Sequence, residues 1–191
     1  MKKVSISGSL RENVGKKDAK KHRKEGNVPC VLYGGEKQIH FAGSEKDFGK
    51  IIFTPEAYLV NLVIDGKEYD AILQDIQYHP VTDKILHMDF LQINEDKPVS
   101  IAVPVRFTGT SKGVLRGGKI TKKYRKLLIK ALPANLPDEV VVDITELNIG
   151  QVIKVSDLTM ENVEFLDVPT SVVATIKTTR GAAGEGEAEA S

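Results

Sequence analysis

Alternating apolar and polar residues dominate this chain. In "KKVSISGSL" Val4, Ile6, Gly8 and Leu10 alternate with polar residues, the pattern of a half-buried strand. Residues 16–25 break it: helix formers predominate, Gly26 stands where a helix stops, and Pro29 follows. "PCVLYGG" reads as a short strand ending in a turn. "SEKDFGKIIF" sets Ser44 three residues ahead of Asp47 and before an apolar face of Phe48, Ile51 and Ile52, which predicts a second short helix. Two long alternating runs, "AYLVNLVID" and "KEYDAILQDIQYH", meet at Asp65-Gly66, a strong hairpin signal. "HPVTDK" is the next turn, and "ILHMDFLQI" the strand that returns from it. This half predicts an antiparallel sheet or a small antiparallel β-barrel, with two or three short helices.

The polar, proline-ended "NEDKP" (94–98) marks a boundary, giving a first domain over 1–94. Beyond it "VSIAVPVRFTG" alternates, "SKGVLRGGK" is glycine-rich, and "ITKKYRKLLIKAL" reads as a strand or a strand pair. "PANLPDEVVVDITEL", "NIGQVIKVSDL" and "SVVATIKT" each supply a further strand. Strands at this spacing without long helices predict a second compact antiparallel β domain over 95–180. The tail "GAAGEGEAEAS" (181–191) is acidic and has no large apolar residue, so disorder is expected there. The fold class is therefore mainly β.

Composition refines this picture only through its distribution. The chain has 191 residues, 41% of them hydrophobic, and a net charge of +1. Near neutrality conceals segments of opposite sign. Nine Lys/Arg face three acids over residues 1–26, ten Lys/Arg stand between Lys97 and Pro137 with no acid, and eleven acids face three bases from Asp138 onward. Such polarity suggests a basic surface for an anionic partner. The first residues do not form a secretory leader, no apolar run could span a bilayer, and a lone Cys30 fits a reducing compartment. A cytoplasmic protein without membrane contact is expected.

The segment 16–25 carries Ala19 as its only apolar residue. A short helix is ordinarily held by burying an apolar face, and this one has none to bury. Lys16, Lys20 and Lys24 stack at i, i+4 spacing with Lys17, Lys21 and Arg23 beside them. Like charges at that spacing repel by about a few tenths of a kcal/mol per pair, a cost that a polyanion reverses. On the strand "HMDF", His87 and Asp89 point to one face. Gln74, Gln77 and His79 on the neighbouring strand and Tyr33 in "YGG" add amide, imidazole and phenol groups. A polar sheet face rimmed by basic residues suits the shallow minor groove of A-form RNA, with its 2′-hydroxyls and base edges. Two other readings are open to these residues. Zinc would need more ligands than His79 and His87, with Cys30 and His40 the obvious spares and no familiar spacing. A thiol-dependent enzyme would use Cys30 with His87 and Asp89, without any motif to support it. Neither GxGxxG nor a P-loop is present. No cofactor is expected.

Several motifs together resemble one family. These are "LRENVGKKDAKKHRKEGNVPCVLYGG", "LQDIQYHPVTDKILHMDF", "VPVRFTG" with "GVLRGGK", "LPANLPDEVVVDITELNIGQVIKVSDL" and "VVATI". In order and spacing they resemble the bacterial large-subunit ribosomal proteins of the L-twenty-five or Ctc family, in its long two-domain form. The resemblance implies an N-terminal barrel that binds 5S rRNA across a helical minor groove. It implies RNA contacts for Arg11, Lys16, Lys20, Lys21, Arg23, Tyr33, Gln74, His79, His87 and Asp89. Family arginines are common at two of the places held here by lysine, which removes the bidentate option there but keeps phosphate binding. A stress-associated protein that joins ribosomes conditionally is the alternative within this reading. Long-form relatives commonly carry acidic or neutral residues after the Gly-Gly, where this chain has "KITKKYRKLLIK". If that were one strand, Thr121, Lys123 and Arg125 would share one face and Lys122, Tyr124 and Lys126 the other. Lys122, Lys123, Arg125 and Lys126 are thereby candidates for a second contact, with 23S rRNA or a neighbouring ribosomal protein.

Overall fold

The computed structural model describes residues 1–179. The expected disorder of 181–191 lies outside them. The chain forms two units: Met1–Ile101 with Leu132–Asp138, and Ala102–Ala131 with the described residues from Glu139.

The first unit is built on six strands: β1 (Lys2–Leu10), β2 (Asn27–Tyr33), β3 (Ile39–Ser44), β4 (Tyr58–Ile64), β5 (Lys67–Tyr78) and β6 (Ile85–Gln92). They close into a barrel in the order β1-β3-β2-β6-β5-β4. The β4–β5 turn has Asp65 and Gly66 both at positive φ, 48° and 78°, which matches the twist of the flanking strands. The mainly β reading holds, with one feature that hairpin patterns could not reveal. β1 pairs with β4, and β2 with β6, in parallel. Closure needs those two seams, because strands distant in sequence must meet, and closure removes every sheet edge.

Inward positions alternate as the pattern requires. Cys30, Leu32, Phe41, Leu62, Met88 and Phe90 are fully buried. The Phe90 ring lies 5.8 Å from that of Phe41 and 5.9 Å from that of Phe48, in tilted geometry. Gly8 and Gly43 are cross-strand partners, and a Cβ on either would come within 2.7 Å of an aromatic carbon of Phe41 or Phe48. Those two glycines make room for the rings.

Two helices attach to this barrel, α1 (Lys16–Lys24) and α2 (Glu45–Ile52). Ser44 does precede α2, but its side chain makes no capping bond; Phe48 and Ile51, both buried, hold that helix. α1 has no buried residue at all. It ends where expected, with Glu25 as its last half-helical residue and Gly26 at φ 78°.

The second unit contains β7 (Val99–Thr108), whose first residues belong to the first unit, α3 (Lys112–Leu115), β8 (Lys119–Lys122), β9 (Lys126–Ala131), β10 (Val140–Asp143), β11 (Val152–Lys154), β12 (Val163–Phe165) and β13 (Val172–Lys177). One sheet runs β10-β7-β9-β12, with β10 and β7 parallel, and a second runs β11-β13-β8. Val103, Leu127, Ile129, Val173 and Ile176 are fully buried here.

The "KITKKYRKLLIKAL" segment is the strand pair rather than one strand. β8 ends at Lys122 and β9 starts at Lys126, in different sheets. Between them the Val173 carbonyl accepts the N–H groups of Lys123 and Tyr124, and the Arg125 carbonyl accepts that of Val105. These bonds turn the chain from one sheet into the other. The expected two-faced alternation through 121–128 is therefore interrupted at 123–125.

Candidate nucleic-acid interface

The helix without an apolar face is held by two arginines. Arg11, just past β1, is a buried charge; its Nε and Nη2 donate to Asp18 Oδ2 at 3.0 and 2.6 Å. Asp18 lies in the first turn of α1, so this pair ties the start of the helix to the barrel wall. The Arg11 guanidinium beside it holds the Asp18 carboxyl below its ordinary range, and His22 reaches the same oxygen at 3.6 Å. At the other end Arg23 Nη1 donates to the Leu86 carbonyl of β6 at 3.1 Å. A charge-assisted bond at each end thus replaces the missing hydrophobic contact.

The consequence is a division of labour among the basic residues. Arg11 and Arg23 are engaged within the protein. Lys16, Lys20 and Lys21, with Lys17 and Lys24, are exposed, and none joins an ion pair among the described residues. Five ammonium groups on nine residues, none in an ion pair among the described residues, form a concentrated positive field.

β2, β6 and β5 are consecutive in the barrel, and their register sets the polar face. Asp89 is level with Val31 on one side and with Asp75 on the other; His87 is opposite Gln77, and Tyr33 is level with Leu91. His87 Nδ1 and Asp89 Oδ1 are 2.6 Å apart, which fixes the imidazole and leaves Nε2 as its other polar atom. Tyr33 is 37% exposed. Burial, and then Asp89 and Asp75, push its phenol upward, so it remains an O–H donor at neutral pH. Donors and acceptors lie together across these three strands, two strand spacings or about 10 Å, on the scale of a nucleic-acid groove.

His79 closes the β5–β6 turn rather than standing on the sheet. Its Nδ1 accepts the N–H groups of Val81 and Thr82, both at 3.3 Å, so the neutral ring carries its proton on Nε2. With Arg23, Asn27, Glu45, Thr82 and Lys84 it lines a cleft of about 160 Å³ between the end of α1 and this turn. Gln74 is set apart: it is the residue skipped where the register shifts between Leu73 and Asp75, and its amide donates to the Ser100 carbonyl at 3.0 Å.

The fold thus unites Tyr33, His87 and Asp89 on one face, with α1 anchored to the same β6 and His79 at the turn. Arg11 is withdrawn to an internal role. Two participants escaped the sequence pattern. Asp18 is an acid inside a basic run, and only the folded chain shows that it pairs with Arg11, seven residues before it; Asp75 becomes visible once the strand register is known. The thiol alternative is overturned. Cys30 points into the barrel at 0% exposure, burial pushes its thiol far up, and His87 lies on the opposite face of the wall. No group of three or more His, Cys, Asp or Glu among the described residues could hold a metal ion, and no described helix is long and apolar enough to cross a membrane.

Known families match both units. Residues 6–90 fit the Ribosomal L25p family, and residues 98–180 the C-terminal domain of ribosomal protein TL5. The chain is 44% identical to the large ribosomal subunit protein bL25 of Phocaeicola vulgatus, over 96% of each chain. It is 44% identical to bL25 of Amoebophilus asiaticus, over 99% of this chain and 97% of that one, and 42% identical to bL25 of Cytophaga hutchinsonii, over 100% and 99%. With a buried-arginine clamp presenting free lysines beside a polar sheet face, and relatives of this closeness along its whole length, the chain belongs to the bL25 family of large ribosomal subunit proteins.

Proposed function

We propose that this protein is a structural constituent of the large subunit, working in the cytoplasm as part of the ribosome, whose first unit binds 5S rRNA. The five exposed lysines of α1 neutralise phosphates, while Tyr33, His87 and Asp89 meet base edges and 2′-hydroxyls across the minor groove. The observation that carries this reading is the pre-ordered α1: a fold that retains unneutralised lysines on an anchored helix holds a polyanion site open. Arg11 sets the helix rather than touching RNA, and Gln74 contributes to the margin of the face. His79 and Arg23 stand where the helix meets the sheet.

A gel shift of the full chain tests this against purified 5S rRNA and, separately, an unrelated structured RNA of similar length. Tight binding of 5S rRNA that weakens steeply between about 50 and 200 mM salt supports the proposal. Equal affinity for the two RNAs, or affinity independent of salt, would contradict it.

A further inference from the structure

The second unit holds another concentration of free cations. Arg116, Lys119, Lys122, Lys123, Arg125 and Lys126 are all exposed, and none joins an ion pair among the described residues. Six described acids of the unit are engaged elsewhere. Glu139 pairs with Arg106, Glu146 with Lys112 and Glu164 with Lys130, on either side of this stretch. Asp143 accepts from Thr145, Asp157 from the Lys154 N–H and Asp167 from the Leu128 N–H. Among the described residues, no acid therefore pairs with any of these six charges.

Register adds an independent sign. Lys119 on β8 is directly opposite Lys177 on β13, and both are exposed. Like charges facing each other across a ladder destabilise a sheet, and an anion lying over them removes the cost. Lysines also blunt an exposed sheet edge, and β8 is such an edge. That role explains Lys119 and Lys122 but not Arg116, Lys123, Arg125 or Lys126, which lie outside β8. Backbone bonds from Val173 and Val105 hold the 123–125 segment in place, so its side chains project from an ordered support. Lys122, 4.9 Å above the Phe107 ring centroid, is itself oriented.

We propose that the β8 edge and the 123–126 turn form a second nucleic-acid site, binding the phosphate backbone of duplex RNA without reading its sequence. No row of convergent donors and acceptors like that on the β2-β6-β5 face accompanies it, so charge alone sets its preference. The site acts independently of the 5S rRNA reading, because its residues belong to the other unit.

The test is fluorescence anisotropy of the full chain with a short RNA duplex of arbitrary sequence. The background carries Lys16, Lys17, Lys20, Lys21 and Lys24 all changed to Gln, which silences α1. Duplex binding persists in that background. Adding Lys119→Gln, Lys123→Gln, Arg125→Gln and Lys126→Gln then weakens it about tenfold or more at 50 mM salt and lowers the slope of log affinity against log salt by about 3. An unchanged melting temperature shows that the variant is folded. Undiminished affinity in the folded variant would overturn the proposal. Duplex binding that appears only after residues 181–191 are deleted would assign the patch to the acidic tail and overturn it too. Loss of 5S rRNA selectivity through α1 alone bears on the first site and leaves this one standing.

Discussion

Two arginines of the same charge and similar sequence surroundings have come to differ from the lysines between them. Arg23 is half-buried and bonded to a backbone carbonyl, whereas Lys20 is exposed and unpaired. Their substitutions should therefore fail differently. Arg23→Ala removes a charged donor to Leu86 and costs about 1.5–3 kcal/mol, seen as a lower melting temperature together with weaker 5S rRNA binding. Lys20→Ala leaves stability unchanged and lowers the salt slope of binding by about one counterion. Calorimetry beside a salt titration separates the two. If Arg23→Ala leaves stability untouched, the anchor described for it is absent. The guanidinium suits the anchoring role because it directs several donors from a planar fork, and the ammonium suits phosphate because it binds from any direction.

At the scale of elements, α1 is the part whose order the sequence could not decide. Its boundaries were legible from Gly26 and from the helix formers, and its missing apolar face was legible from Ala19 standing alone. What holds it was not, because Arg11 and Asp18 are joined across a loop that no periodicity links. The pair makes α1 sensitive to acid. Asp18 has its carboxyl lowered from the ordinary value near 3.8, chiefly by hydrogen bonding to Arg11. A carboxyl lowered by folding contributes stability that is fully present above its unfolded value and is lost as pH falls through its folded one. Helical signal and amide protection of residues 16–24 should accordingly hold from pH 7 to about 5 and fail below the ordinary carboxylate range, ahead of the barrel. Asp18→Asn should reproduce that loosening at neutral pH by leaving Arg11 buried without a counter-charge, and amide exchange would detect it. Equal protection of residues 16–24 in Asp18→Asn would rule out the clamp. In the β8–β9 segment the alternation of "KITKKYRKLLIK" allowed one strand or two, and the Val173 carbonyl and the Val105 N–H, both outside it, divide it. Local pattern shows that strands exist; hydrogen bonds from distant strands decide where they end.

For the whole molecule, near-zero net charge proved the least informative property of the sequence and its distribution the most informative. Most cations of the acid-free stretch from Lys97 to Pro137 and of α1 join no ion pair among the described residues. The mainly β architecture was readable from alternation and turns, whereas the parallel seams that close the barrel were not, since parallel partners carry no turn signal between them. The same seams, β2 with β6, set Tyr33 beside the strand bearing His87 and Asp89 and so build the polar face.

That face and α1 are the proposed 5S rRNA site, and amide NMR of the isotopically labelled full chain during titration with 5S rRNA probes both residue by residue. Shift changes and line broadening should concentrate at residues 16–24, at Tyr33, and at His79 through Asp89, while the fully buried Phe41 and Phe90 stay in place. Perturbations absent from α1 and from β6, with binding nonetheless complete, would contradict the account.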